Sequence, residues 1–411
     1  MQQFFQNLSQ IPLPHSSWLK RTKKMKKIVI LGAGYAGLMA ANRLAKLSRD
    51  YQIHLINESE NFIERIRNHE YSAGREVKIY KIRDLISKRV SFTQAKVECL
   101  DAKNQTISVA NQNQKITYDY LIYALGSTDH AKVESSYSVN TLWKADELKQ
   151  AVQAKKSGSL WILGAGLTGI ELATELKESY PEWKIGLLDQ KPFAKNFSLK
   201  ARNYFLETFR KMKIELIEST EYRIHENGIY LNQTKTFLEA DLFVQTFGFQ
   251  CSDLGRRSNL LVNEKNQILV EPSLRVLDYT NIFVAGDSAF VEGSSIRMGC
   301  VTAMPMGVHA AEMIHRCAND NEVQDFSFGF AGRCISLGRK SGLIQMTNSL
   351  DEPQPRIIGG KLAAFIKELV CKYTVFSIRL ERSFPFRTYF WPKEKILKEQ
   401  DFSLNSGKLA S

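Results

Sequence analysis

The sequence predicts an α/β fold in which one parallel-sheet unit is followed by a second of the same design. Three observations carry it. Gly-Ala-Gly-Tyr-Ala-Gly at 32–37 stands between a β-branched run at 27–31 and a helical stretch at 38–47. Gly-Ala-Gly-Leu-Thr-Gly at 164–169 stands in the same way between an apolar run at 160–163 and a helical stretch at 170–179. Each is followed by another strand-like run, at 52–56 and at 184–188, which completes a strand–turn–helix–strand unit. Repetition of the whole pattern implies two nucleotide-binding domains.

The elements follow in order. After the first unit, residues 79–88 read as helical, then short alternating strands are expected near 91–99, 106–109 and 115–117. Residues 120–125 form a buried strand ending at Gly126. Pro181 stops the second helix, alternating strands recur near 229–231 and 236–237, and 241–247 closes the second half. Beyond Pro272 a strand at 282–285 ends in Gly286-Asp287 and leads through Met304-Pro305-Met306 into a helix that Pro305 can start.

Composition bounds the function. The chain has 411 residues, enough for two or three domains, and a formal net charge of +13. The charge suits anionic cofactors or an anionic lipid surface, and with no zinc-finger spacing or basic repeat, nucleic acid ranks last. The six cysteines show no C-x-x-C spacing, which fits a reducing compartment. Residues 1–24 hold no continuous apolar segment of signal-peptide type, so a cytoplasmic protein is expected, with 1–24 a disordered extension and Met25 an alternative start. No apolar run is long enough to span a bilayer as a helix.

Each glycine loop has a physical rationale. Gly32 permits the tight turn, Gly34 lets backbone approach a pyrophosphate, and Gly37 lets helix and strand pack closely; Gly164, Gly166 and Gly169 repeat these roles. The helix N-terminus then offers unpaired N–H groups to phosphates. About twenty residues on, a ribose partner is expected. In the second unit it is Asp189, whose carboxylate favours a 2′-hydroxyl and so NADH, with Lys191 as a counter-indication. In the first unit either Asn57 or Glu58 serves.

With both loops in place, the chain resembles the flavoproteins with two dinucleotide-binding domains and, among them, the type II NADH dehydrogenases. The resemblance spans about residues 25–345. It rests on the loop at 32–37, the strand Tyr118-Asp119-Tyr120-Leu121-Ile122-Tyr123-Ala124-Leu125-Gly126, the loop at 164–169 with Glu171, and Asn281-Ile282-Phe283-Val284-Ala285-Gly286-Asp287. It implies two Rossmann-like, three-layer domains, with the NADH domain (138–255) inserted in a discontinuous FAD domain (25–137 and 256–330), and a C-terminal region (331–411). FAD is then expected at Gly32, Gly34, Gly37, Asn57, Glu58, Ala124, Gly126, Gly286, Asp287 and Met304, with Asp287 on the ribityl hydroxyls, and NADH at Gly164, Gly166, Gly169 and Asp189. Glu171 is expected to act in nicotinamide placement and proton handling.

The acceptor is less determined. Residues 38–98 contain no Cys, which excludes a dithiol relay of the family's usual kind. Cys300 and Cys334 keep a sulfide:quinone reductase-like chemistry as a minor alternative. The resemblance implies quinone, yet Met304 and Val308 stand where two glutamines are usual, and His309 is a candidate proton donor. A quinone or similar small acceptor leads; a redox sensor and a reductase of a protein such as ferredoxin are alternatives. Finally, residues 362, 365, 366, 369, 370 and 373 make one apolar helical stripe, with Lys361, Lys367 and Lys372 off it and aromatics beyond. Such a helix suits peripheral attachment to the cytoplasmic face of a membrane, packing on its own protein, or a homodimer contact.

Overall fold

The computed structural model describes residues 25–129, 136–225 and 228–394; the extension at 1–24 lies outside the described residues. The first half is a five-stranded parallel sheet in the order Ile282–Val284, Tyr120–Tyr123, Lys26–Leu31, Tyr51–Asn57, Val90–Gln94. Its central strands are near-continuous apolar runs because both faces are covered: Ile28, Ile30, Leu121, Ile122 and Phe283 are fully buried. Helix α1 (Tyr35–Leu47) follows the first loop and the short α2 (Asn68–Ser72) follows the second strand.

The second half repeats the plan. Its parallel sheet runs Tyr137–Ser138, Leu242–Gln245, Ser159–Leu163, Lys184–Leu188, Ile214–Ile217, with helices α3 (Leu142–Gln153), α4 (Leu167–Ser179) and α5 (Leu199–Met212). Each half also carries a three-stranded antiparallel meander, Val97–Asp101 to Ile116–Thr117 in one and Tyr222–His225 to Thr236–Glu239 in the other. The chain crosses between halves on two antiparallel strands, Ser127–Asp129 and Phe249–Cys251, then adds α6 (Leu254–Arg257). The halves thus form a discontinuous first sheet around an inserted second one.

Helix α7 (Cys300–Cys317) returns to the first half and lies on α1. The contact needs Gly307, since a Cβ there would come within 2.1 Å of the Ala36 carbonyl oxygen. Pro305 lies inside this helix rather than at its start: the helix begins five residues earlier, at Cys300, and only the bond of the missing Pro305 N–H is forfeited. Three antiparallel strands (Gly332–Ser336, Gly342–Thr347, Pro353–Gly359) and the long α8 (Gly360–Ser383) are the last regular elements among the described residues. Residues 79–88 are not helical. Ile79–Lys81 is a strand paired with Asn61–Ile63, followed by a 3₁₀ turn; Ile82, Leu85 and Ile86 face the core at helix-like spacing, but Ile79 stays half-exposed on the ladder.

Candidate active site

The two loops are built alike. Gly32 has φ +94°, and a Cβ there would meet the Ala124 carbonyl oxygen at 2.3 Å; Gly164 has φ +104°. A Cβ on Gly37 would lie 1.9 Å from Gly32 O, and one on Gly169 2.0 Å from Gly164 O. At Gly34 and Gly166, by contrast, a Cβ would meet nothing within 4 Å, and these residues cap α1 and α4 without any side-chain hydrogen bond. Both helix N-termini therefore present backbone donors to open space, the arrangement a pyrophosphate requires. The residues present fit a dinucleotide at each loop.

The end-of-strand residues do something the sequence did not reveal. Asn57 Oδ1 accepts the Ala33 N–H (2.9 Å), and Asp189 Oδ2 accepts the Ala165 N–H (2.8 Å). Asp189 Oδ1 also accepts from the Lys191 N–H (2.8 Å). Each side chain thus ties its own loop to the second strand of its unit. Glu58, next to Asn57, is exposed.

Gly286, at φ +74°, sits where α7 meets α1. Asp287 beside it accepts the Gly299 N–H (2.9 Å) at the head of α7 and the Ser127 hydroxyl (2.7 Å) at the crossing strand. The Gly126 N–H donates to Ser288 Oγ (2.9 Å). These bonds gather Ala124, Gly126, Gly286 and Asp287 beside the first loop. Met304 is 2 % exposed in the core of the first half, which leaves little of it to offer a ligand.

Glu171 lies one turn into α4 and is buried. Its Oε1 accepts from Lys367 Nζ of α8 (3.0 Å), the Ser336 N–H (3.0 Å) and the Ser336 hydroxyl (3.2 Å). Its Oε2 faces His69 Nδ1 of α2 at 4.0 Å. Burial opposes the carboxylate charge, but Lys367, His69 and the Ser336 N–H outweigh it and hold the Glu171 carboxyl below its ordinary range. Burial likewise opposes the Lys367 ammonium, and Glu171 beside it holds that group above its ordinary value. The two form a buried ion pair that joins the second glycine-loop helix to the C-terminal helix. Sequence reading placed Lys367 merely off the apolar stripe of α8. What it missed is that this lysine turns inward, where it also donates to the Cys334 carbonyl (3.2 Å).

The thiols are quiet. Burial pushes those of Cys300 and Cys334 up, and Cys251, donating to the Asp287 carbonyl, is pushed up to about 12. Neutral thiols are poor nucleophiles. His309 is structural: its Nε2 donates to the Gln324 carbonyl (3.0 Å), and burial lowers its pKa to about 4. Among the described residues no cluster could hold a metal ion.

With this geometry in hand, comparison with known proteins defines the class first. The model of the pyridine nucleotide-disulphide oxidoreductase family matches residues 26–313. The type II NADH:quinone oxidoreductase of Staphylococcus aureus (strain MSSA476) is 31% identical over 396 residues, covering 86% of this chain and 96% of the relative. That of Staphylococcus epidermidis (strain ATCC 12228 / FDA PCI 1200) is 29% identical over 397 residues, with the same coverage. Among solved structures, the sulfide:quinone oxidoreductase of Aquifex aeolicus aligns with TM-score 0.75 and 19% identity over 87% of this chain and 92% of its own. NDH2 of Plasmodium falciparum in complex with NADH aligns with TM-score 0.70 and 15% identity over 87% and 98%. The chain belongs to the pyridine nucleotide-disulphide oxidoreductases and, within them, to the type II NADH:quinone oxidoreductase family.

Proposed function

We propose that the chain is an FAD-dependent NADH dehydrogenase that delivers electrons to a quinone or similar small acceptor. The observation that carries this reading is the buried Glu171–Lys367 pair one turn beyond a second dinucleotide loop. When bound, FAD accepts hydride from NADH and passes the electron pair on. The protein supplies position, field and protons. Gly32, Gly34 and Gly37, with Asn57 fixing the loop and Glu58 beside it, hold the FAD pyrophosphate and ribose. Ala124, Gly126, Gly286 and Asp287 line the ribityl side, and Met304 backs them from the core. Gly164, Gly166 and Gly169 hold NADH, and Asp189 presents carboxylate to its ribose. Glu171, ionised and aligned by Lys367 and Ser336, exchanges a proton at Oε2, the oxygen that Lys367 leaves free for His69.

Two finer features belong to the same reading. With Met304 and Val308 buried in α7 where glutamines are usual, the acceptor is held by shape and apolar contact. Its route in is from lipid. On α8 the apolar stripe faces outward: Leu362, Phe365, Leu369, Val370, Tyr373 and Phe376 are each 44–61 % exposed. Ala363, Cys371, Val375 and Ile378 form the opposite, buried face. Six half-exposed apolar side chains at ~1 kcal/mol each give ~6 kcal/mol for insertion into an interface, before the cost of ordering. Lys361, Lys372 and Arg379 flank the stripe for an anionic leaflet. No helix among the described residues is long and apolar enough to cross a membrane, so attachment is peripheral.

The test is anaerobic stopped-flow on the flavin band, mixing NADH first and a water-soluble quinone second. Rapid bleaching and rapid recovery are expected. Bleaching without recovery would discard the quinone in favour of a protein acceptor or a sensor role. Flotation with anionic vesicles, lost in Phe365→Asp/Phe376→Asp, checks the membrane face; a shift from dimer to monomer in that variant, without flotation by the parent, would assign the face to a second copy.

A further inference from the structure

Between α8, the segment leading into α2 and the chain at 76–80 lies a cavity of about 350 Å³ whose walls are rich in charge. Three of its carboxylates and three of its cations satisfy one another. Arg67 holds Glu368 through two bonds (3.0 and 3.1 Å) and Glu70 through another (3.1 Å). Arg339 also reaches Glu70 (3.0 Å), Lys372 stands 3.5 Å from Glu368, and Glu64 lies 3.6 Å from Arg67. The charged groups left over are Lys78, Arg379 and Glu76, all exposed. Lys78 Nζ and the Arg379 guanidinium lie over the Tyr80 ring, 5.4 and 5.3 Å from its centroid, and neither has a carboxylate partner among the described residues. A ring contact is a weaker hold on a cation than a bond to an anionic oxygen. Five cations therefore face four carboxylates, and the cavity carries one net positive charge. A second observation specifies more. Glu64 is buried, and its Oε1 makes no hydrogen bond among the described residues. Such an oxygen calls for a donor, and a hydroxyl supplies one without adding charge. The third observation is position: Val375 and Phe376 close one side of the cavity, and Phe376, 55 % exposed, belongs to the outward apolar stripe of α8.

We propose that this cavity binds the phosphodiester headgroup of an anionic, hydroxyl-bearing glycerophospholipid of the phosphatidylglycerol type. The inference rests on the reading of α8 as the membrane face. Lys78 and Arg379 take the phosphate oxygens, a headgroup hydroxyl donates to Glu64, and the acyl chains run out over Phe376. The charge count selects this class. A phosphodiester brings one negative charge, which matches the cavity. A phosphomonoester or free phosphate brings roughly two at neutral pH and leaves the excess facing Glu76. A quinone ring brings none and leaves both cations uncompensated.

The probe is dihexanoylphosphatidylglycerol below its micelle concentration, its phosphorus NMR line followed as flavin-loaded enzyme is added. The line should broaden with the parent protein. Lys78→Gln and Arg379→Gln, both at exposed positions, should each weaken binding about fivefold, and together about 25-fold. Lys361→Gln, at the far end of α8, should leave this binding unchanged. Equal loss in Lys361→Gln would overturn the site in favour of diffuse attraction. Displacement of the probe by inorganic phosphate as readily as by glycerophosphoglycerol would assign the cavity to a free anion and overturn the lipid. A raised KM for a water-soluble quinone in the double variant, with the probe still bound, would give the cavity to the acceptor instead. The membrane reading is judged separately. A parent protein that floats with anionic vesicles yet leaves the probe line sharp keeps the membrane face and loses the site. One that broadens the line without floating loses the face and keeps the headgroup site.

Discussion

The two glycine loops are built from the same parts, yet the regions built over them differ. The first loop's helix, α1, is roofed by α7, with Gly307 allowing backbone contact at Ala36, and by α8. The second loop's helix, α4, carries Glu171, Glu175 and Glu178 on successive turns, and meets Ser336 and Lys367 at Glu171, Arg75 at Glu175 and Glu178, and the Arg339 N–H at Glu178. Identical turn chemistry therefore says how a dinucleotide is bound, and the cover says how long it stays. A loop helix roofed by two helices suits a resident group, and one faced by buried, paired acids suits a substrate that must leave each cycle.

The sharpest way to break this contrast is to make the same change in both loops. Gly37→Ala and Gly169→Ala each drive a Cβ to about 2 Å from a carbonyl oxygen, a clash of at least ~1.4 kcal/mol or about tenfold in binding. Gly37→Ala should purify largely free of flavin colour, while Gly169→Ala keeps its colour and shows a raised KM for NADH. Loss of colour in both would mean the halves are not independent sites. On the second loop's helix, Glu171→Gln should keep its flavin and lose about 100-fold in kcat, measured by steady-state NADH oxidation with quinone. Asp189→Ala should raise the NADH KM about tenfold, from ~1.5 kcal/mol of lost charge-assisted bonding. Asn57→Ala, its counterpart, should leave that KM unchanged.

The smallest effect concerns stability alone. The His309 pKa falls from 6.5 to about 4 on folding, so the native state binds fewer protons than the unfolded chain in this window. Its contribution is complete above pH 6.5 and is lost as pH falls toward 4. Melting temperature should drop over that range, and less steeply in His309→Gln.

Much of this was legible from residues. The paired strands, loops and helices around 32–37 and 164–169 follow from local glycine chemistry and apolar runs, and both signals are short-range. Spacing singled out Asp189 and Asn57 as ribose partners, but not their bonds to Ala165 and Ala33, because those depend on the final register of the second strand. Ile79–Lys81 misread as helix because Ile82, Leu85 and Ile86 mimic the helical period. Lys367, Ser336 and His69 escaped because they come from three distant segments, and nothing local distinguishes an inward lysine from a solvated one. Helices α3 and α5 and the strands at Gly332–Gly359 were likewise invisible to motif reading.

The inward turn of Lys367 also orders events during synthesis. Both glycine loops are translated before it, and at roughly 5–20 residues per second Lys367 follows Gly32 by roughly 20–70 s. A nascent chain therefore shapes both dinucleotide grips while the carboxylate of Glu171 still lacks its counter-ion. The last long helix acts as a late-arriving key: until α8 is made, Glu171 lacks Lys367 and the proton-handling pair is incomplete.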